Sequence, residues 1–213
     1  MVNRYLNPYI NQIKSFPEFV FSGEACLDAV KFFKTPLFLD IGCGNGESLV
    51  FEAQKNPDKF YVGVELQYKE VYRTGLKIQK AGLKNCLVLQ MDAKKLPDLF
   101  KSDQISSVNI FFPDPWPKTK HRKNRLVQVA YLRRLFAKMQ KGASVNIRTD
   151  NDDYFIHIVS TVYSMKDEFK LSITEFTRDY YRDGARKDSC ITAFERIFLR
   201  QGLLINALSF IVE

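Results

Sequence analysis

Two kinds of chemistry stand side by side in the stretch 111–125, which reads FFPDPWPKTKHRKNR. Asp114 and Trp116 alternate with Pro113, Pro115 and Pro117. Each proline fixes its own φ and biases the residue before it, here Phe112, Asp114 or Trp116, toward extended backbone. The stretch is therefore expected to be stiff without belonging to a helix or strand, and a carboxylate on a stiff mount can orient a ligand or face a developing charge. Positions 118–125 then carry Lys118, Lys120, Arg122, Lys123 and Arg125 together with His121, a density of cations suited to phosphate. Simpler readings exist: Asp114 bonding its own backbone in a turn, Trp116 packing under it, and the cations as a solvated surface. The helix expected over about 124–140 weighs against the last, because a helix N-terminus disfavours cations unless an anion offsets them.

A second constellation lies at 38–46, FLDIGCGNG. Gly42, Gly44 and Gly46 fall in the turn between a strand and the next helix, where a missing Cβ lets a ligand approach the backbone. A dinucleotide fingerprint would place its third glycine at 47, but Glu47 stands there, a poor neighbour for a pyrophosphate. A nucleoside with an uncharged linker, such as S-adenosylmethionine, tolerates it. Asp40 closes the strand before the turn. Glu65 closes the next one, where a carboxylate can accept both ribose hydroxyls. Asp92 closes the third, where it meets an adenine amino group or caps the helix that follows.

These residues need a frame that gathers strand ends. Strands are expected at 37–40, 60–65, 86–91, 107–112 and 143–148, alternating with helices from 47, at 68–80, after 92, near 124–140 and at 152–165. That alternation predicts an α/β, Rossmann-like doubly wound, mostly parallel sheet of about seven strands. A change of pattern after 168 gives a strand at 170–176, a charged loop at 177–190, a short helix at 192–200 and a last strand at 203–212, which form an antiparallel C-terminal edge. The loop combines Arg178, Arg182, Arg186 and Lys187 with Tyr180 and Tyr181, a mix suited to a splayed RNA strand or to a solvated loop. Residues 1–22 read as an irregular arm whose aromatics, among them Tyr5, pack back on the fold. Ser22 reads as the N-cap of a helix over about 23–33, and 23–213 as a single domain.

The balance of 32 Lys+Arg against 24 Asp+Glu, a net +8, favours a polyanionic partner, nucleic acid before membrane. The longest apolar stretch, LLINALSFIV, is too short to span a bilayer, and the N-terminus has no apolar leader. Cys26, Cys43, Cys86 and Cys190 form no CxxC pair, and His121 and His157 are the only histidines. Reduced thiols, no metal site and a soluble cytoplasmic protein follow as expectations.

FFPDPWPKTKHRKNRLVQ, coming after DIGCGNG and GVE, resembles the tRNA (guanine-N7)-methyltransferase family of class I S-adenosylmethionine-dependent methyltransferases. The likeness runs from about residue 37 to the C-terminus and includes Thr149-Asp150 and TAFE at 192–195. It implies methyl transfer from S-adenosylmethionine to N7 of the variable-loop guanine, position 46 of tRNA. It also implies a donor pocket at Asp40, Gly42, Gly44, Gly46, Glu65, Asp92 and Asp114, with Asp114 catalytic. Substrate contacts fall to Lys118, Asp150, Thr192, Ala193, Phe194 and Glu195, with Lys120, His121, Arg122, Lys123, Asn124 and Arg125 on the RNA. The family pattern often opens its first motif with Glu where Asp40 stands, and often has a basic residue at Asn124. The segment after Glu195 is also more apolar than the resemblance leads one to expect.

Local physics offers other roles for the later pieces, since Asp150 with Asp152 and Asp153 suits a helix N-terminus and Thr192 to Glu195 a capping box. Two rival functions remain. One is a methyltransferase for an exocyclic base amino group, because DPW faintly resembles (D/N)PP(Y/F) but lacks its second proline. The other is a non-catalytic RNA-binding protein of the same fold. A monomer and a homodimer fit the sequence equally.

Overall fold

The structure is a computed structural model, and it describes residues 7–182 and 190–213. Its strands are β1 (Val20–Ser22), β2 (Leu37–Ile41), β3 (Phe60–Glu65), β4 (Cys86–Gln90), β5 (Ile105–Phe111), β6 (Met139–Thr149), β7 (Leu171–Thr177) and β8 (Asn206–Val212). Its helices are α1 (Tyr9–Gln12), α2 (Ala25–Ala29), α3 (Glu47–Lys55), α4 (Tyr68–Ala81), α5 (Val129–Phe136), α6 (Asp152–Ser164) and α7 (Ala193–Arg200). The strands form one sheet in the order β1-β4-β3-β2-β5-β6-β8-β7. Pairings are parallel as far as β6, and β8 then runs antiparallel to both β6 and β7. The order reverses at β2, so the ends of β2, β3, β4 and β5 meet at the switch point where such sheets bind ligands.

Apolar runs explain the layers. On one face Leu39, Ile41, Val62, Val64, Val108, Ile110, Val145 and Ile147 pack against Leu132 and Leu135 of α5 and Phe155, Ile158 and Val162 of α6. On the other, Tyr61 and Val88 meet Leu49, Val50 and Ala53 of α3 and Val71 and Ile78 of α4. Burying one such side chain contributes about 1.5–3 kcal/mol. Ile78 is fully buried, so Ile78→Ala costs about 2–5 kcal/mol. Gly82, at φ +63, ends α4 in the left-handed conformation that glycine adopts without cost.

Four sequence expectations are corrected. The stretch before residue 23 is not irregular throughout: α1 and a 3-10 turn precede β1, which pairs in parallel with β4 and makes an eighth strand. Ser22 therefore ends a strand and caps nothing, and α2 starts at Ala25 after Glu24. The helix expected over 124–140 shortens to α5, Val129–Phe136, with a 3-10 turn (Thr119–Asn124) before it and β6 already begun at Met139. The cations of 118–125 thus lie outside the N-terminal turn of α5, and the dipole argument for a bound anion lapses. Finally, Phe112 and Trp116 adopt φ +53 and +43 rather than extended backbone. Left-handed φ on residues with a Cβ costs about 1–3 kcal/mol each, and such strain concentrates at functional loops.

Candidate active site

The glycine turn is built by hydrogen bonds to two neighbouring strand and helix ends. The N–H groups of Gly42 and Cys43 donate to Val64 O (2.8 and 3.1 Å), and Gly44 N–H donates to Glu65 Oε2 (3.1 Å). The other Glu65 oxygen accepts from Gln67 N–H at 2.8 Å, which fixes the carboxylate over the turn. From α4, Thr74 Oγ1 donates to Gly44 O (3.0 Å) and Lys77 Nζ donates to Asn45 O and Oδ1 (2.9 Å each). Gly46, at φ +75, leaves no room for a side chain: an added Cβ would stand 2.6 Å from Thr74 Cγ2. At Gly42 and Gly44 an added Cβ would meet open space, so the backbone there is bare toward a ligand. Thr74 and Lys77 escaped the sequence reading because an exposed-looking helix surface carries no signal of a turn thirty residues away.

Asp40 lies buried at the end of β2, in register with Asn109 of β5, which accepts from Asn146 Nδ2 of β6 at 3.0 Å. Burial pushes its carboxyl up to about 7, an effect partly offset by the Arg148 guanidinium. Its Oδ2 takes no hydrogen bond from any described residue. A cavity of about 270 Å³ runs over this row and is lined by Asp40, Asn109, Phe111, Asn146, Arg148 and Cys190 among others. Asp92, at the end of β4, accepts from Lys94 N–H (2.9 Å) and so caps the following 3-10 helix, while Met91 N–H donates to Glu65 O and keeps the two acids adjacent. The local reading of Asp92 as a cap holds, and the cap leaves it at the same edge.

The loop 112–117 is pinned at three points. Phe112 N–H donates to Arg148 O (2.8 Å), the Phe112 ring packs on Phe198 (5.3 Å between centroids), and Pro115 O accepts from Arg125 Nε (2.7 Å). Trp116 is half-buried and meets His121 edge-on at 5.9 Å. Asp114 is exposed. Of the basic run, Lys118, Lys120, Arg122 and Lys123 are exposed, while His121 and Asn124 are half-buried. Arg122 pairs with Asp153 (2.8 Å). Arg125 departs from the expectation. Only 1% exposed, it pairs with Asp153 and lies over the Tyr154 ring, so it braces the loop from beneath and presents nothing to a phosphate.

The base-side segment sits across β6. Asp150 follows buried Thr149 and takes no part in the α6 cap, which Asn151 makes by accepting from Tyr154 N–H (2.8 Å). The capping box of α7 is present: Thr192 Oγ1 accepts from Glu195 N–H and Glu195 Oε2 from Thr192 N–H. Glu195 is fully buried and paired with Arg148 at 2.8 Å, and Ala193 and the exposed Phe194 lie between the two caps. Of the loop 177–190, Arg178 pairs with Asp152 (2.8 Å) and Tyr180 is buried. Arg186 and Lys187, like Tyr5 in the arm, lie outside the described residues.

A bare glycine turn, acids at the ends of β2, β3 and β4, and the orphaned buried oxygen of Asp40 fit a nucleoside donor with a cationic end, and the sheet that carries them has the class I methyltransferase fold. Solved structures agree on the fold. The 16S rRNA methyltransferase KamB superposes with a TM-score of 0.63 at 16% identity, over 91% of this chain and 94% of the other. The 16S rRNA (adenine(1408)-N(1))-methyltransferase of Catenulisporales acidiphilia, solved with cosubstrate SAM, gives 0.58 at 16% identity over 87% and 89%. A family model described as "Putative methyltransferase" matches residues 34–207. The tRNA (guanine-N(7)-)-methyltransferase of Bdellovibrio bacteriovorus is 33% identical over 171 residues, 80% of either chain. The chain belongs to the tRNA (guanine-N7)-methyltransferase family, whose methyl donor is S-adenosylmethionine.

Proposed function

We propose that the chain methylates N7 of the variable-loop guanine of tRNA in the cytoplasm, and that the two halves of 111–125 divide the work. The observation that carries this reading is the meeting of the pinned Asp114 loop, the glycine turn and the exposed cations at one edge of the sheet. Gly42, Gly44, Gly46, Glu65 and Asp92 would hold the nucleoside end of the donor, and Asp40 its cationic end. When bound, S-adenosylmethionine supplies an electrophilic methyl group on a sulfonium.

Guanine N7 carries a lone pair and no proton, so the chain needs no general base; it must orient the ring in line with the methyl. The braced loop and the capping box of α7 are rigid mounts for that task. Asp114 would face the positive charge that develops on the purine, with Asp150 and Thr192 as the groups to accept from or orient its N1 and N2 edge. Lys118, Lys120, Arg122 and Lys123 grip phosphates, a contribution that falls with salt. Digestion of RNA methylated by the chain tests the reading: N7-methylguanosine is expected, and a guanosine methylated on its exocyclic nitrogen would overturn it.

A further inference from the structure

Glu47 stands where a dinucleotide turn would carry its third glycine, and the structure gives it a partner far away in the chain. It opens α3 directly after Gly46. Its two oxygens both accept from Arg196 Nη2, at 3.0 Å each, and Lys77 Nζ lies 3.8 Å from Oε1. Lys77 also holds the Asn45 carbonyl and amide oxygens of the glycine turn. Arg196 follows Glu195 on α7. One charged cluster therefore joins the donor turn, α4 and the helix that presents Thr192 and Phe194.

On its other side α7 is held by the buried Arg148–Glu195 pair, so its N-terminus is fixed at two points, one on the sheet and one on the donor turn. Further along, Phe198 packs on Phe112 of the proline loop, while Phe194, Ile197 and Leu199 are exposed. The two anchors differ in kind. Glu195 is fully buried, whereas the Arg196 and Glu47 side chains are 47% and 24% exposed. A pair so wetted adds little to folding, but it sets where α7 stands relative to the turn.

We propose that Glu47 and Arg196 are a positioning pair that couples the donor turn to the tRNA-facing end of α7, so that filling the turn raises affinity for tRNA. The inference rests on the proposed function. A coupling of this kind is reciprocal between the two ligands, and its size is bounded by the pair that carries it. For an exposed ion pair that bound is about 1.5- to 5-fold in affinity.

The test compares wild type with Glu47→Gln, Arg196→Gln, the double variant and Arg196→Lys. For each, tRNA affinity is measured with and without S-adenosylhomocysteine, together with the single-turnover rate, the affinity for S-adenosylhomocysteine alone and the melting temperature. Wild type is expected to bind tRNA about 1.5- to 5-fold tighter when the turn is filled. Both single variants should lose that enhancement and turn over several-fold more slowly, with melting temperature and S-adenosylhomocysteine affinity unchanged. The double variant should lose no more of the enhancement than the worse single, and Arg196→Lys should recover part of the loss, as expected where the coupling runs through the Glu47–Arg196 contact. The inference is overturned if wild type methylates tRNA yet shows no enhancement, if the singles keep it, or if their losses add in the double. Absence of any methyl transfer by wild type would count against the proposed function instead.

Discussion

Replacement of Arg148 by Ala should be among the most destabilising single changes on the site side of the sheet. Arg148 Nη1 donates to Glu195 Oε1 at 2.8 Å and Nη2 to the Tyr180 hydroxyl at 2.6 Å. Its guanidinium lies 4.2 Å from the Phe111 ring centroid and 4.0 Å from that of Tyr180. The two charged side chains are 11% and 0% exposed, so truncation leaves a buried carboxylate that keeps the Thr192 N–H but has lost its charged partner. Breaking a buried pair from one side costs about 3–5 kcal/mol, which for a chain of this size lowers the melting temperature by about 6–20 °C. Arg148→Lys should cost less but still measurably, because an ammonium can neither fork nor stack between two rings. Arg148→Met combined with Glu195→Gln should be more stable than Arg148→Ala, since no charge is then left buried. Urea unfolding with a shared m-value reads all three. If Arg148→Ala stays within about 1 kcal/mol of wild type, or the double variant is worse than the single, the bridge does not hold α7 as described.

Asp40 gives a prediction in pH. Its carboxyl is pushed up to about 7, chiefly by burial, so the folded state holds a proton that the unfolded chain releases near 3.8. Stability due to this group therefore falls as pH rises from about 4 to about 7, with a limiting slope of about 1.4 kcal/mol per pH unit. Asp40→Asn should flatten that fall and melt higher than wild type at pH 8, while binding S-adenosylmethionine more weakly by calorimetry; parallel stability curves would refute the burial argument. Lys120→Ala and Lys123→Ala should each weaken tRNA binding and lower the slope of log affinity against log salt by about 1, with an unchanged single-turnover rate at saturating tRNA. Arg125→Ala should do the opposite, lowering stability and rate through the Pro115 carbonyl and Asp153 while leaving the salt slope intact; a lowered slope would mean that Arg125 reaches phosphate after all.

Residue types whose meaning is local could be read from the chain. Glycines at 42, 44 and 46, carboxylates at strand ends and the capping box of Thr192 and Glu195 all lie where their own neighbours dictate. The parallel sheet with an antiparallel edge followed from the alternation of apolar runs, and its eighth strand did not. Val20–Ser22 is too short to carry a period and pairs with β4 more than sixty residues on. Arg125 looked like one more surface cation because its partners, Asp153 and Tyr154, come from α6. Glu47 looked like a mere obstacle to pyrophosphate because Arg196 is 149 residues away. The backbone of Phe112 and Trp116 contradicts the preference of residues before proline, and the anchors at Arg148 O, Phe198 and Arg125, distant or later in the chain, hold the loop there.

The division of labour within 111–125 is tested most directly by Asp114→Asn, assayed in single turnover at saturating tRNA with tRNA affinity measured on the same preparation. A carboxylate facing the charge that develops on the purine should be worth about 10²–10³ in rate, so the account predicts a loss of that order with tRNA affinity unchanged. Full methylation by Asp114→Asn at unchanged tRNA affinity would contradict it.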